Sequence, residues 1–578
     1  MSNKKHYITD FIPVLSTIQN YNKDFFKGDL MAGVTVAIML IPQGMAYALL
    51  AGMPPVYGLY ASIVPVLLYA VLGTSRQLAV GPVAMVSLLI VAGVGELADV
   101  GSDRFIHLAI MTALGVGTVQ FLMGVFRMGF LVNFLSHPVL SGFTSAAALI
   151  IGASQISNLL GLDLERSKQV HDILIGLFQN FENINMITAA IGIGSVASIM
   201  LLKKWKKTFP SALFVVIAGT LVTALFGLNN LGVSIVGNVP EGLPSFEMPG
   251  LSFSDFRQLL PIILVISLVS YMESIAVAKA IANKRGYKVD ANQELIALGG
   301  ANLGGAFFQS FPTTGGFSRT AVNDQSGART TIASVITALL IGLTVLFLTP
   351  LFYYLPSAVL AAIIMVAVAG LFDAEEMIKL WTTDKKDLAM LGATFLATLL
   401  LGIEEGIGIG VLLSLTMVIY SSTKPHSAEV GRLGNTNNFR NVNRYPEAKT
   451  DSKILIFRFD SNLYFANVEH FRESLNEKID QRGDDLSLLI LDASSIHSID
   501  STGIHTLKKL IEDLDERQIK CYMAGVIGPV RDKLKTSGVT DAMGEENFFF
   551  DVADAVAYYK DSEQQSFERD FSPLQTNN

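Results

Sequence analysis

The sequence predicts a polytopic α-helical membrane protein of 14 segments, arranged as a 7+7 inverted repeat and followed by a C-terminal cytoplasmic α/β domain. Of its 578 residues, 51% are hydrophobic and 16% are charged, whereas soluble domains carry roughly 25% charged residues. Apolar stretches close to the ~20 residues that a helix needs to cross a bilayer recur throughout residues 29–423. This region is therefore predicted to be the membrane domain.

Seven segments fall in each half of the membrane domain, and all but one of them are apolar. The first seven cover residues 30–50, 56–72, 80–96, 106–125, 131–157, 184–202 and 209–227. The second seven cover residues 258–282, 291–309, 311–327, 331–349, 355–372, 387–403 and 405–421. Because each half crosses an odd number of times, the two halves face opposite ways, which is typical of inverted-repeat transporters.

Basic residues predict the orientation of these segments, because Lys and Arg accumulate in cytoplasmic loops. Basic residues precede segment 1 and recur on alternate connections, in GTSRQ, FRMGF, KKWKK, NKRGYK and TTDKKD. The opposite connections are acidic or neutral, as in GELADVGSD. We therefore predict a multi-pass protein of the cell membrane with both termini in the cytoplasm.

Segment 10, residues 311–327, is polar but has to cross the membrane. The basic loops NKRGYK and TTDKKD lie on one side, and two clear spans between Arg329 and the second loop place Arg329 there too. An even number of crossings therefore separates Lys288 from Arg329. The stretch LIALGGANLGGAFFQSF is too apolar for a soluble loop, so residues 311–327 must supply the second crossing.

The third segment of each half is interrupted, in TSRQLAVGPVAMVSLL and in FPTTGGFSRTAV. Corresponding interruptions in the two halves indicate the binding site of a transporter. Two helix N-termini meeting beside Arg319 would form an anion site, with Ser318 as a hydroxyl donor. Gly315 and Gly316 would allow the backbone to approach the ligand. The alternative is that Arg319 snorkels to an interface or pairs with Asp324.

Segment 8 carries Glu273, another ionisable residue at membrane depth. Aligning IPQGMAYALLAG of segment 1 with SYMESIAVAKAIA of segment 8 places Glu273 opposite Gln43. An ionisable residue inside a membrane is a functional candidate. Glu273 is predicted to bind a coupling proton, with Na⁺ as the alternative, or else to be a neutral buried acid with a structural role.

Three stretches carry a family resemblance: IPQGMAYALLAGMPPVYGLYASIVPVLLYAVLGTSRQLAVGPVAMVSL, GGFSRTAVNDQSGARTT and LPSAVLAAIIMVAVAGLFD. They closely resemble the sulfate permease (SulP) family of anion transporters. The resemblance implies a core domain and a gate domain, with an anion carried between segments 3 and 10 by an elevator-like movement. It implies a site lined by Gln43, Tyr47, Val83, Phe317, Ser318 and Arg319. Glu273 falls where family members carry an acidic residue linked to cation coupling.

Residues 452–561 predict a small α/β domain, because strand-like KILIFRF, LSLLILDA and KCYMAGV alternate with helical NVEHFRESLNEKI and IHTLKKLIEDLDERQ. Residues 1–28 are predicted as a cytoplasmic N-terminal segment, 424–451 as a linker and 562–578 as a disordered tail. The α/β domain resembles the STAS domain shared by sulfate transporters and anti-sigma factor antagonists. Thr502 takes the position of the residue phosphorylated in those antagonists, whereas a helix cap is the alternative role for Asp500 and Thr502.

We predict secondary active transport of a small inorganic anion, sulfate with proton symport, by alternating access. The alternatives are bicarbonate or another anion such as a dicarboxylate, with Na⁺ coupling, a channel, or a membrane-anchored sensor that signals through the STAS domain. A primary pump is disfavoured because the sequence contains no G-x-x-x-x-G-K-[ST] loop. An enzyme is not expected, because no nucleophile–base or metal-ligand pattern is present and Cys521 is the only cysteine.

The expected partners are the anion, its coupling ion and the lipid bilayer. We expect no cofactor and no metal site. We also expect a homodimer, with a cytoplasmic protein as a candidate partner of the STAS domain. The net charge of −8 gives no reason to expect nucleic acid.

Overall fold

The computed structural model describes residues 12–19, 21–130, 136–162, 170–206, 209–250, 252–434 and 436–570. The chain divides into two compact units, Met1–Leu415 and Thr416–Asn578. The first unit contains the apolar segments up to Leu415, within the last of them, and the second contains the end of that segment and a β-sheet with surrounding helices. The predicted fold class, a polytopic helical domain followed by an α/β domain, is confirmed.

Segments 1–7 form the first half of the membrane domain. They are Lys23–Leu50, Pro55–Tyr60 with Val64–Leu72, strand β1 (Val80–Gly81) with helix Ala84–Val94, Asp103–Val125, His137–Leu160, Met186–Trp205 and Ser211–Phe226. Segment 1 begins after Asn22, whose side chain accepts a hydrogen bond from Phe25 N over 2.9 Å and so caps the helix. Residues 1–11 of the predicted N-terminal segment lie outside the described residues.

Segments 8–14 form the second half. They are Phe253–Arg285, Ala291–Ala306, strand β2 (Thr314–Gly315) with helix Phe317–Gln325, Ile332–Phe347, Ser357–Ala369, Lys385–Leu400 and Ile403–Thr423. Eight spans among the described helices are long and apolar enough to cross a membrane. Segments 3 and 10 are not among them, because each combines a short strand with a short helix.

Among the described residues of the first unit, three further α-helices were not predicted from the sequence: Val14–Gln19, Val170–Gln179 and Ala374–Thr383. The last is amphipathic, with Leu380 buried and Trp381 70% exposed. Asp373 caps it by accepting a hydrogen bond from Glu376 N over 3.0 Å. At ten residues with two acids in its first turn, this helix is too short and too polar to span a bilayer.

Segments 4 and 9 pack closely because glycine lies at their interface. A Cβ atom on Gly117 would lie 2.3 Å from Leu303 N, and one on Gly299 would lie 2.4 Å from Phe121 N. Small residues allow membrane helices to approach this closely. Segment 10 follows segment 9 in the chain, so it continues directly from this closely packed pair of helices.

The second unit is an α/β domain, as predicted. Its strands are β3 (Ser427–Leu433), β4 (Phe439–Asn441), β5 (Ala448–Lys449), β6 (Ile454–Phe459), β7 (Leu488–Asp492), β8 (Lys520–Ala524) and β9 (Phe548–Phe549). The sheet order is β4-β3-β6-β7-β8-β9, with β5 paired to β3, and β6 to β9 are parallel. Its helices are α1 (Val468–Arg482), α2 (Ser501–Glu516), α3 (Gly528–Thr536), α4 (Val539–Met543) and α5 (Val552–Asp570).

Each face of this sheet has its own apolar core. On one face, the ring of Phe459 packs edge-on against that of Phe471 of α1, with centroids 5.2 Å apart. On the other face, Ile454 and Ile456 belong to a buried cluster with Tyr559 of α5. Alternate residues of β6 therefore serve opposite faces, as the pleat of a strand requires.

The structure differs from the sequence-based boundaries at both ends of this domain. Residues 424–451, predicted as a linker, contain β3, β4 and β5, and β3 pairs antiparallel with β6. Strand β3, SAEVGRL, mixes polar and apolar residues, and β4 and β5 have only three and two residues, so none of them carries the apolar run that marks β7. Helix α5 reaches Asp570, so the first part of the predicted tail is helical, and residues 571–578 lie outside the described residues.

Candidate anion-binding site

The interrupted segments 3 and 10 meet in a short antiparallel strand pair. Val80 of β1 pairs with Gly315 of β2, and Gly81 pairs with Thr314. Gly316 N extends the pairing by donating to Ala79 O over 3.1 Å. The pairing satisfies polar backbone groups that would be costly to leave unpaired at membrane depth.

A helix begins directly after each strand of this pair. The helix of segment 3 begins at Ala84 after Val83, and the helix of segment 10 begins at Phe317 after Gly316. Neither N-terminus has a side-chain cap. The first-turn amides of a helix have no intrahelical acceptor, so both N-termini can donate hydrogen bonds to an anion.

Arg319 is buried beside the strand pair, with 2% of its surface exposed. Its Nη1 donates to Pro82 O over 2.6 Å, whereas Nε and Nη2 have no hydrogen-bond partner among the described residues. Asp324 lies 2.8 Å from Lys284 Nζ and 2.6 Å from Arg285 Nε instead. Arg319 is therefore buried in protein rather than extended to the surface, and the alternative in which it pairs with Asp324 is wrong.

Two further candidates surround this guanidinium. Tyr47 of segment 1 and Glu273 of segment 8 both interact electrostatically with Arg319. Tyr47 is buried and Glu273 is partly exposed, and Glu273 Oε2 has no hydrogen-bond partner in the described part of the chain. The structure thus brings together a cation, a carboxyl group and a phenol from three different segments.

The remaining candidates divide into buried and exposed side chains. Gln43 is 6% exposed and lies one helical turn before Tyr47, and its Oε1 has no partner within the described ranges. Val83 is buried next to Pro82, whose carbonyl oxygen receives Arg319. Phe317 and Ser318, in the first turn of the segment 10 helix, are exposed.

Ser274 and Thr314 hold β2 against segment 8, and the sequence analysis did not identify them. Gly315 N donates to Ser274 Oγ over 2.8 Å. The Thr314 hydroxyl donates to Ser270 O over 2.6 Å and lies 2.6 Å from Ser274 Oγ. A hydroxyl has one proton, so Ser274 donates to Thr314 in that second pair.

Asn302 of segment 9 holds the residue before β2. Its Oδ1 accepts from Thr313 N over 2.7 Å, and its Nδ2 donates to Thr313 O over 3.0 Å. Nδ2 also lies 3.2 Å from Oε1 of Gln120 in segment 4. An amide side chain that pairs with both backbone groups of one residue fixes the path of the chain there.

A matching set of hydrogen bonds joins segment 10 to the extended part of segment 3. Thr320 Oγ1 accepts from Ala79 N over 3.0 Å, and Asn323 Nδ2 donates to Gln77 O over 2.8 Å. The sequence signal for these positioning residues is the presence of Ser, Thr, Asn and Gln in apolar segments. That signal alone does not distinguish a ligand contact from a backbone contact.

In the second unit, Asp500 is the N-cap of helix α2. Its Oδ1 accepts from Gly503 N over 2.8 Å, and its Oδ2 accepts from Phe465 N over 2.9 Å. Thr502 is exposed in the first turn of the same helix. The cap predicted as an alternative is therefore formed by Asp500, and phosphorylation of Thr502 stays a prediction.

Comparison with known proteins agrees with this architecture. Residues 26–394 match the sulfate permease family, and residues 445–555 match the STAS domain. Sulfate transporter 4.1, chloroplastic, from Arabidopsis thaliana is 41% identical over 568 residues, which cover 95% of this chain and 82% of that protein. High affinity sulfate transporter 2 from Stylosanthes hamata is 34% identical, over 95% of this chain and 86% of that protein.

A solved structure supports the same conclusion. The murine Solute Carrier 26 family member A9 anion transporter, in the inward-facing state, superposes with a TM-score of 0.89 at 27% identity, over 96% of this chain and 95% of that one. The likeness covers the membrane segments and the C-terminal domain together. The chain therefore belongs to the sulfate permease family of membrane transporters and carries a C-terminal STAS domain.

Proposed function

We propose that the protein carries sulfate across a membrane by secondary active transport with proton symport. The observation that carries the proposal is Arg319, a buried guanidinium that has two donors without a partner among the described residues and lies beside two helix N-termini that no described side chain caps. Buried polar groups in proteins are almost always paired. The missing acceptor is best supplied by an anion.

The chemistry of the donors favours an anion with several acceptor oxygens. The planar fork of arginine matches oxyanions, and each helix N-terminus adds amide donors and about half a positive charge. A tetrahedral oxyanion can accept from several directions at once. The names of the relatives from Arabidopsis thaliana and Stylosanthes hamata, both sulfate transporters, support sulfate as the cargo.

Glu273 is proposed to bind the coupling proton. It interacts electrostatically with Arg319, and the described residues provide no hydrogen bond to its Oε2. An ionised Glu273 would compete with the anion for the field of Arg319, whereas a protonated Glu273 would not. Proton and anion therefore each raise the affinity for the other, because linkage is reciprocal.

Alternating access is proposed to move the site as one body. Ser274 accepts a hydrogen bond from β2 and Asn302 accepts one from the residue before it, which ties this stretch to segments 8 and 9. Thr320 accepts from Ala79 N and Asn323 donates to Gln77 O, which ties segment 10 to segment 3. A site held by this many contacts keeps its geometry while the segments that carry it move against the rest. An elevator-like motion of a core domain against a gate domain meets this requirement.

We further propose that the protein functions as a homodimer in the cell membrane, with both termini in the cytoplasm and the STAS domain as the surface for a cytoplasmic protein partner. The alternation of basic loops supports the orientation. A cysteine introduced near residue 570 that reacts with an impermeant thiol reagent only after the cells are opened would support it. Labelling of intact cells would instead place the C-terminus outside the cell and reverse the proposed orientation.

Uptake of labelled sulfate into proteoliposomes tests the function, with unlabelled sulfate, bicarbonate, chloride and a dicarboxylate as competitors. We expect saturable uptake, strongest competition by sulfate, and stimulation by an inward proton gradient. Flux that does not saturate would favour a channel, and no flux of any anion would favour a sensor. Uptake that depends on Na⁺ and does not respond to pH would identify Na⁺, rather than a proton, as the coupling ion.

A further inference from the structure

A polar cavity of about 320 Å³ lies in the second unit, over the β4-β3-β6 edge of the sheet. It is far in sequence from every proposed contact of the membrane site. Its lining comes from the residue before β3, from β4 and the turn after it, and from the end of β6 with the residue that follows it. The charged and aromatic lining residues are His426, Arg440, Arg444, Tyr445, Arg458 and Asp460.

Along β6, the sheet face beneath this cavity changes from apolar to charged. Ile454 and Ile456 are buried in the cluster beneath α5, whereas Arg458, the next residue on the same face, lines the cavity. Its pairing partner in β3 is Ala428, which is too small to fill the space above the sheet. The pleat therefore presents a charged floor where continued apolar packing would have been expected.

Asp460 is the one acid among the described residues that line the cavity, and it is shared between two basic partners. Its Oδ2 lies 2.7 Å from His426 Nδ1 and accepts from Arg458 Nη2 over 3.2 Å. Burial acts to raise the pKa of Asp460, but the hydrogen bonds from His426 and Arg458 outweigh it and hold the pKa below its usual range. The carboxylate is therefore ionised and neutralises one positive charge.

The three arginines exceed this single acid by two positive charges. Arg440 Nη1 donates only to Phe439 O, over 3.1 Å, and neither Arg440 nor Arg444 forms an ion pair with any described residue. Arg458 Nε lies 2.7 Å from Asp460 Oδ1, so Arg458 pairs with the acid, and Arg440 and Arg444 are the two guanidinium groups left unneutralised.

We propose that this cavity is a second anion site, which binds a doubly charged tetrahedral oxyanion, either a free sulfate or phosphate ion or the phosphate group of an ester. Two unneutralised guanidinium groups match the charge of such a dianion, and arginine recognises its oxygens through paired donors. The volume lies at the lower end of the ~300–1,000 Å³ range of small-molecule sites. The cavity is larger than a bare ion requires. The half-exposed ring of Tyr445 can contact the organic part of an ester.

Calorimetric titration of the purified full-length protein tests this proposal. Sulfate, inorganic phosphate and phenyl phosphate are the three probes, and every chain carries Arg319→Ala so that the membrane site contributes little. Arg440→Ala/Arg444→Ala should weaken binding of the preferred probe by about tenfold or more, because each removes a hydrogen bond to a charged group. The matched control is Arg531→Ala, which removes an exposed arginine of the same unit outside the cavity.

Equal binding of sulfate and phosphate would identify a free oxyanion as the ligand, and tighter binding of phenyl phosphate would identify an ester. Both results support the site. Equal affinity in the double variant and the Arg531→Ala control would overturn it, as would the absence of saturable binding for all three probes. Arg440 and Arg444 are exposed, so the double variant should fold, and its thermal unfolding midpoint checks this. The compared chains differ only in exposed arginines of the second unit, so the outcome is independent of the proposed transport function.

Discussion

Arg319 donates a hydrogen bond from Nη1 to the carbonyl oxygen of Pro82 over 2.6 Å, and this contact joins the interrupted segment of one half to that of the other. The proline has no N–H group and fixes its own φ angle, so its carbonyl oxygen is a well-defined acceptor. The bond fixes one edge of the guanidinium and leaves Nε and Nη2 without partners in the described part of the chain. The positions of these two donors define the proposed anion site.

Gly316→Ala should displace the Arg319 guanidinium. A Cβ at this position would lie 2.9 Å from Arg319 Cζ and Nη2, which is too close, so the side chain has to move. Sulfate affinity should fall by about tenfold or more, since a hydrogen bond to a charged group contributes about 1.5–3 kcal/mol. Gly194→Ala in segment 6, where a Cβ meets open space, is the control, and equal affinities for the two variants would contradict the geometry.

Ser274→Ala should weaken anion binding without removing any proposed ligand contact. Gly315 N would lose its acceptor, and an unpaired buried amide costs about 1–3 kcal/mol, so β2 should shift or loosen. Ser267→Ala is a matched control on the same helix, because that hydroxyl is equally buried but bonds only to Ile263 O of its own helix. Sulfate binding should fall for Ser274→Ala alone. A similar loss in both variants would indicate a general effect on segment 8.

Glu273→Gln should uncouple transport from the proton gradient. The substitution mimics the protonated carboxyl group, so anion binding and exchange should persist, whereas wild-type uptake should rise with an inward proton gradient. Sulfate uptake into proteoliposomes with imposed pH gradients measures both. A Glu273→Gln variant that still responds fully to the gradient would remove this residue from the coupling mechanism.

A chain that ends at Ser422 should retain sulfate binding if its membrane domain folds, because every proposed ligand of the transport site precedes residue 330. The two compact units also divide near this point, at Leu415 and Thr416. Transport rate and dimer stability are expected to fall. Size-exclusion chromatography checks folding and calorimetry checks binding. A well-folded truncation that binds no sulfate would place part of the site in the STAS domain.

The candidate site could be predicted from the sequence because several of its residues are unusual for an apolar segment. Pro82 and the pair Gly315-Gly316 interrupt apolar segments. An arginine at membrane depth is energetically costly, which makes Arg319 a functional candidate. The parity of crossings then required a membrane position for segment 10. These inferences need only the composition of the segments and the general thickness of a bilayer, so a single sequence is enough to make them.

The residues that hold the site in place could not be predicted in this way. Ser274 supports Gly315, which lies 41 residues away in the chain, and Asn302 supports Thr313 across the turn between segments 9 and 10. Their hydrogen bonds depend on how helices pack, which hydrophobic periodicity does not specify. Strands β3 to β5 were missed for a related reason. Strand β3 is stabilised by pairing with β6, and β4 and β5 by pairing with β3, rather than by an apolar pattern of their own.

The central claim is that Arg319 binds the transported anion, and equilibrium binding of labelled sulfate to purified wild-type and Arg319→Ala protein tests it most directly. Removing the charged partner of a desolvated anion should cost about 2–5 kcal/mol, so the variant should lose saturable binding at the membrane site while its expression stays largely intact. Arg319→Lys should restore binding only in part, because lysine lacks the planar fork. Unchanged sulfate affinity in a well-folded Arg319→Ala protein would contradict the assignment of this site.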